Sequence, residues 1–202
     1  MNKTQLKHFS TKLRGLKPWY FLAVALISGF IAVIALRQNN LQMIDLRNKV
    51  VQADKNNGDI ETALRNLREF VYAHMNTNLS SGNNSIKPPI QLKYRYDRLI
   101  AAEKQRVNDA NAKIYTDAQA YCEKAIPEGL SGRGRVPCIQ DYVSSHGIKQ
   151  QPIPDGLYKF DFVSPAWSPD LAGVSLLVAL VSLVLFIVSY AIERWVSAEL
   201  KE

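Results

Sequence analysis

Apolar residues gather into two uncharged runs near the ends of the chain, and between those runs they recur in stripes at helical spacing. Residues 19–36 (WYFLAVALISGFIAVIAL) and 171–192 (LAGVSLLVALVSLVLFIVSYAI) contain no charged side chain. As helices they would reach ~27 Å and ~33 Å, lengths that match a hydrocarbon core of about 30 Å. The pattern predicts two transmembrane helices. Gly and Ser within them are compatible with lipid, because a helix satisfies its own backbone.

Beyond the first run, Leu36, Met43 and Val50 keep a seven-residue spacing, with Leu46 and Ala53 between them. The first span is therefore expected to continue as a stalk over about 37–54. KNNG then breaks it, and Asp59 is placed to cap the next helix. That helix, about 60–77, carries Ile60, Leu64, Leu67, Val71 and His74 on one face. Residues 78–89 read as a loop. Over about 90–124, Ile100, Val107, Ile114 and Tyr121 recur every seventh position beside Tyr96, Ala110 and Ala118. That narrow stripe predicts a long helix with a coiled-coil seam. Gly and Pro then make 125–170 irregular, with a short helix at CIQDYVSSHG and a short strand in DGLYKFDFV.

Helix lengths constrain the arrangement. The stalk and the 60–77 helix match in length and should form an antiparallel hairpin. The loop after it would then end near the membrane surface, and the 90–124 helix would rise from there. Its upper half needs a further partner, and 125–165 is the segment left to supply one. The fold class expected is mostly α: two transmembrane helices flanking a helical hairpin and coiled-coil domain with a small irregular, disulfide-tethered segment.

Charge sets the orientation. The formal net charge is +7, of which Lys3, Lys7, Lys12, Arg14 and Lys17 supply five in residues 1–18 with no acid among them. Such a basic tail is retained in the cytoplasm, so residues 37–170 should be outside and the tail 193–202 inside. Trp19, Tyr20, Trp167 and Trp195 stand at the span edges as interfacial anchors. A cleaved signal peptide, with Val33 and Ala35 at the cleavage site, is disfavoured by the length of the apolar run. A prepilin leader is disfavoured because Gly29-Phe30 falls inside that run with no glutamate following. The charge lies in a tail and not along a folded face, which argues against a nucleic-acid partner.

The two cysteines, Cys122 and Cys138, suit one disulfide in an oxidising compartment. The sequence offers no catalytic constellation, no cofactor motif and no metal spacing: His8, His74 and His146 are far apart. Ser144, Ser145 and His146 adjoin one another, which reads as a helix C-terminus before Gly147. GLSGRGRVP is Gly-rich without the phosphate-loop Lys-Ser/Thr, and reads as a loop. The chain is accordingly expected not to be an enzyme.

Binding features are few. Lys87, Lys93, Arg95 and Arg98 are a candidate contact with an anionic surface near the outer leaflet, against the plainer reading of a solvated face. Tyr94, Tyr96, Tyr115, Tyr121 and Tyr142 mix core positions with exposed ones suited to protein contact. Asn78 and Asn83 begin weak glycosylation sequons. In the spans, Ala25, Ser28, Gly29 and Ala32 on one side and Ser175, Ala179, Ser182 and Ser189 on the other offer small faces for close packing and inter-helix hydrogen bonds, with Phe21, Phe30 and Phe186 turned elsewhere. Neither span holds an ionisable residue, which disfavours a pump or proton relay.

The stretch ETALRNLREFVYAHMNTNLSSGNNSIKPPIQLKYRYDRLIAAE (61–103), with YCEKA and PCIQDYV later, resembles two-pass membrane proteins of Saccharibacteria-type bacteria of the candidate phyla radiation. The resemblance implies a bacterial envelope location and no particular activity. Together these features lead us to expect a non-enzymatic envelope protein in contact with membrane lipids. Its helical domain would bind a protein partner or a second copy, as scaffold or assembly subunit. The alternative is a sensory input subunit, which would have to signal through a partner because its cytoplasmic ends are short.

Overall fold

The computed structural model describes residues 17–80, 86–126 and 134–199. Among them are five α-helices: α1 Pro18–Lys55, α2 Ile60–Ala73, α3 Lys93–Ala125, α4 Arg135–His146 and α5 Leu171–Glu199. A single 3-10 turn spans Asp155–Leu157, and β1 Ile90–Gln91 pairs with β2 Lys159–Phe160. The protein is mostly α, with two helices long and apolar enough to cross a membrane. Two compact units divide the chain: Met1–Val51 with Asp59–Ile86 and Asp161–Glu202, and Gln52–Gly58 with Lys87–Phe160.

The first unit holds both apolar helices and the hairpin. α1 runs unbroken from the apolar run into the stalk, burying Ser28, Ala32, Ala35, Asn39, Met43 and Val50 along one face. On α2 the buried residues are Ile60, Leu64, Leu67 and Val71, the i, i+4, i+7, i+11 stripe of an amphipathic helix. Asp59 caps α2, its carboxylate accepting from the Thr62 N–H at 3.0 Å. The arms are antiparallel, because residues just beyond α2 return to the lower stalk. The Asn39 amide donates to the Met75 carbonyl at 3.3 Å, and the Asn76 amide donates to the Leu36 carbonyl at 3.1 Å.

α2 stops at Ala73, short of the expected 77, in a turn that the chain around 74–77 and the distant Ser168 hydroxyl hold together. His74 is extended and Asn76 is left-handed at φ 61°. Thr77 then folds back, its hydroxyl bonding the Val71 and His74 carbonyls that a continuing helix would have used. α5 continues past 192 to Glu199, where the sequence suggested a tail, and Val196 is buried.

In the second unit, α1 ends in a Schellman turn. Asn57 is left-handed at φ 51°, Gly58 N–H bonds the Ala53 carbonyl at 2.9 Å, and Asn57 N–H bonds that of Asp54 at 3.4 Å. α3 starts at Lys93 and not at 90, because Ile90 and Gln91 are drawn out to pair with Phe160 and Lys159. α4 packs on the far half of α3, fastened by a Cys122–Cys138 disulfide with Cα atoms 6.0 Å apart. The segment after α4 lies back along α3. Asn111 bonds both the N–H (2.8 Å) and the carbonyl (3.1 Å) of Ile148, and Glu103 accepts from the Gln151 N–H at 2.9 Å. The α3 stripe at Ile100, Val107 and Ile114 is only half-buried, and Tyr121 is exposed. Its partner in this chain is α4 with the returning strap, within the 125–165 segment expected to supply one.

Candidate functional site

Polar groups are rare along the apolar runs, and the densest set stands where both begin or end. Asp170 precedes α5 and caps it: one carboxylate oxygen accepts from the Gly173 N–H at 2.9 Å. The other accepts from the buried Asn39 amide at 2.6 Å. Asn39 also donates to the Met75 carbonyl, and the Met75 N–H donates to the buried Ser168 hydroxyl at 2.9 Å. The result is a clasp tying the start of α5 to the stalk and to the end of α2. Below it, Ala35, Met75 and Ala172 form one apolar cluster flanked by Leu36 and Leu176.

Burial works to raise the Asp170 pKa. It is outweighed by the Gly173 N–H, the Asn39 amide, the Ser168 hydroxyl and the nearby His74, so the carboxyl lies below its usual value. His74 stacks on Phe70 at 4.2 Å, with Nδ1 2.9 Å from the Phe70 carbonyl. The turn into α5 leaves no room for a side chain at 173. A Cβ there would collide with the Ser168 carbonyl and come within 2.9 Å of Trp167 Nε1.

Beside the clasp lies a cleft of about 580 Å³. Along α1 it is lined by Ile31 and Ile34 and then by Gln38 and Gln42, and Leu171 and His74 line it from α5 and from the residue after α2. Asn39 and Asp170 also line it.

The sequence reading missed this clasp, although two signals were present. Asn39 falls on the buried stalk face between Leu36 and Met43, where an amide needs a partner. Asp170 directly precedes an apolar helix, an N-cap position.

The residues singled out from sequence are placed as follows. Trp19, Tyr20, Trp167 and Trp195 are all exposed. Trp167 donates its indole N–H to the Gly173 carbonyl at 3.2 Å. Ser28, Ala32, Ser175 and Ser182 are buried, and Ala25, Gly29, Ala179 and Ser189 are half-buried. The expected inter-helix hydrogen bonds do not form at Ser28 or Ser175. Each hydroxyl turns back to a carbonyl of its own helix, Val24 at 2.6 Å and Leu171 at 2.5 Å. Phe186, expected to point elsewhere, meets the Trp19 ring at 6.1 Å, while Phe30 is exposed.

The first turn of α3 rests on Asp54. Asp54 is buried and accepts from the backbone N–H groups of Tyr94 (3.0 Å) and Arg95 (2.7 Å) and from the Arg98 guanidinium (3.1 Å). Lys87 and Lys93 are exposed. Of the tyrosines, Tyr96 meets Tyr158 at 4.5 Å with the rings tilted, Tyr121 meets Tyr142 at 5.4 Å, and Tyr94 and Tyr115 are exposed. Ser145 and His146 lie 3.0 Å apart on the exposed last turn of α4, which Gly147 ends. The Gly-rich loop at 129–137 falls largely outside the described residues, as do Asn83, His8 and the tail cations Lys3, Lys7, Lys12 and Arg14. Compared with protein-family models, curated proteins and solved structures, the chain matches none.

Proposed function

We infer that this chain is a two-pass integral membrane protein of a bacterial envelope. Both termini lie in the cytoplasm, residues 37–170 lie outside, and the outer helical domain binds a protein partner as a scaffold or assembly subunit. The observation that carries the membrane reading is exposure. Only 17% and 22% of the two apolar windows are buried, so most of their side chains need an apolar medium. Leu26, Phe30, Leu180 and Val184 each expose more than half their surface. The five cations before the first span support the orientation. Partner binding is supported by Tyr115, Tyr121 and Val136, each at least half exposed on α3 and α4, a composition suited to protein contact.

A sensory subunit is the second reading, favoured by the continuity of α1. An unbroken helix from stalk to span carries a displacement across the bilayer without a hinge. Co-purification in mild detergent separates the two. An envelope complex is expected; a histidine kinase or chemotaxis-type receptor as the main partner would overturn the scaffold reading in favour of sensing. For topology, single cysteines at 5 and 83 in a Cys-less chain are treated with an impermeant maleimide in intact cells. Labelling at 83 alone is expected, and labelling at 5 alone would invert the orientation.

A further inference from the structure

The cleft beside the clasp is divided along its length in the way a lipid is. Ile31 and Ile34 lie in the last part of the first apolar run, and Leu171 opens the second. Gln38 and Gln42 lie just past the end of the first run, about 11–16 Å along α1 from Ile31. The boundary between apolar and polar wall therefore coincides with the edge of the apolar runs on both helices. The polar end is rich in acceptors. It holds the Asp170 carboxylate and the Gln38 and Gln42 carbonyl oxygens, and no Lys or Arg is among its lining residues.

We propose that this cleft seats one zwitterionic phospholipid with a primary ammonium headgroup. The ammonium lies against Asp170, the phosphate against the Gln38 and Gln42 amide N–H groups, and the upper acyl carbons against Ile31, Ile34 and Leu171. Charge complementarity selects this class over anionic lipids, whose net negative headgroup would meet a carboxylate and no resident cation. The site is distinct from the protein-binding surface on α3 and α4, and it rests on the membrane-spanning reading.

The test uses the full chain in mild detergent and native mass spectrometry. The probes are equimolar phosphatidylethanolamine and phosphatidylglycerol with identical acyl chains. One phosphatidylethanolamine per chain should be retained about tenfold over phosphatidylglycerol, the factor one charge-assisted hydrogen bond supplies. Ile34→Trp, on a half-exposed position, fills the apolar wall and should abolish retention. Gln42→Trp should do the same from the polar end, so a folding defect in one variant does not decide the matter. Asp170→Asn keeps an N-cap acceptor and should reduce the preference toward unity. Equal retention of the two lipids, a preference for phosphatidylglycerol, or retention unchanged by both Trp variants overturns the proposal. Alkaline carbonate extraction of the same membranes separates this from failure of the membrane reading. A chain that stays in the membrane yet shows no lipid preference refutes the cleft alone, whereas release refutes the spans.

Discussion

Asp54, one residue before the last of α1, accepts a 2.7 Å hydrogen bond from the backbone N–H of Arg95 in the first turn of α3. A carboxylate at the end of its own helix meets the wrong end of that dipole. Here it faces the N-terminus of another helix, whose own N-cap position is Leu92 and supplies no side-chain acceptor. Asp54 thus does for α3 what a neighbouring Ser or Asp does in most helices, from forty-one residues away. Removing it should cost about 2 kcal/mol, mostly for the lost cap, since Arg98 loses the carboxylate but keeps its bond to the backbone carbonyl of residue 54. Asp54→Ala should make the first turns of α3 exchange amide hydrogens faster, while Asp54→Asn should retain most of the protection. Equal exchange in Asp54→Ala and the parent would refute the cap.

The Cys122–Cys138 bond closes a loop of about seventeen residues, for which chain entropy predicts ~3 kcal/mol. Its effect should be local, because α4 has a second tether at Asn111 and Ile148. Reduction, or Cys122→Ser, should raise hydrogen exchange most at Arg135–Ile139. Exchange near Ile148 should change less, and the α1–α2 hairpin should not respond. Uniform loosening of 135–151 would mean that the Asn111 tether contributes little.

Gly173 should not tolerate a methyl group. Its Cβ would strike the Ser168 carbonyl, a backbone atom that cannot swing aside, and Ser168 is itself bonded to Met75. Gly173→Ala should lower stability by about 2 kcal/mol, a typical overpacking cost. Gly29→Ala in the other apolar helix is the control, since nothing lies within 4 Å of its added Cβ. A melt in detergent that ranks the two variants equally would contradict this geometry.

Two carboxylates predict acid behaviour. The Asp170 pKa lies below its ordinary 3.8, so the clasp contributes stability above that value and loses it as pH falls through the lowered folded value. The Glu103 carboxyl is brought from 4.5 to about 2, by the Arg106 guanidinium first and the Gln151 N–H second. The Gln151 tie to α3 should therefore persist down to about pH 2. Titration followed by carbon NMR of labelled Asp and Glu should place Asp170 below 3.8 and Glu103 near 2. A Glu103 midpoint near 4.5 would remove the tie.

What could be read from the sequence was periodic. The buried stripe of α2 at Ile60, Leu64, Leu67 and Val71 is the stripe in the sequence, because one partner covers one face. Helix ends were less legible, because they depend on distant groups. α2 stops where Ser168, ninety-three residues later, takes the Met75 N–H. α3 starts late because β2 captures Ile90 and Gln91. The candidate site was hidden for the same reason: Asn39 and Asp170 are 131 residues apart and belong to no local motif. The seven-residue spacing in α3 was real, and its length pointed to 125–165 as the segment that covers it, as α4 and the returning strap do.

The last prediction concerns register between the two apolar helices. Sequence midpoints would set Ser28 level with Ser182. The contacts place two other levels: Trp19 against Phe186 at one end, and Ala35 clustered with Ala172 at the other. Those pairs span about 24 Å of α1 and about 21 Å of α5, so the helices run antiparallel over nearly equal lengths. Interpolating between them puts Ser28 level with about Val178, beside the small Ala179 and one turn from Ser182. The serine hydroxyls do not oppose this, since Ser28 is bonded within its own helix and needs no partner across the gap. In a chain lacking Cys122 and Cys138, cysteines at 28 and 179 should cross-link within one chain faster than cysteines at 28 and 182. A faster link at 28 and 182 would restore the midpoint register. A dimer band at either pair would show that the small faces join two chains and not two helices of one.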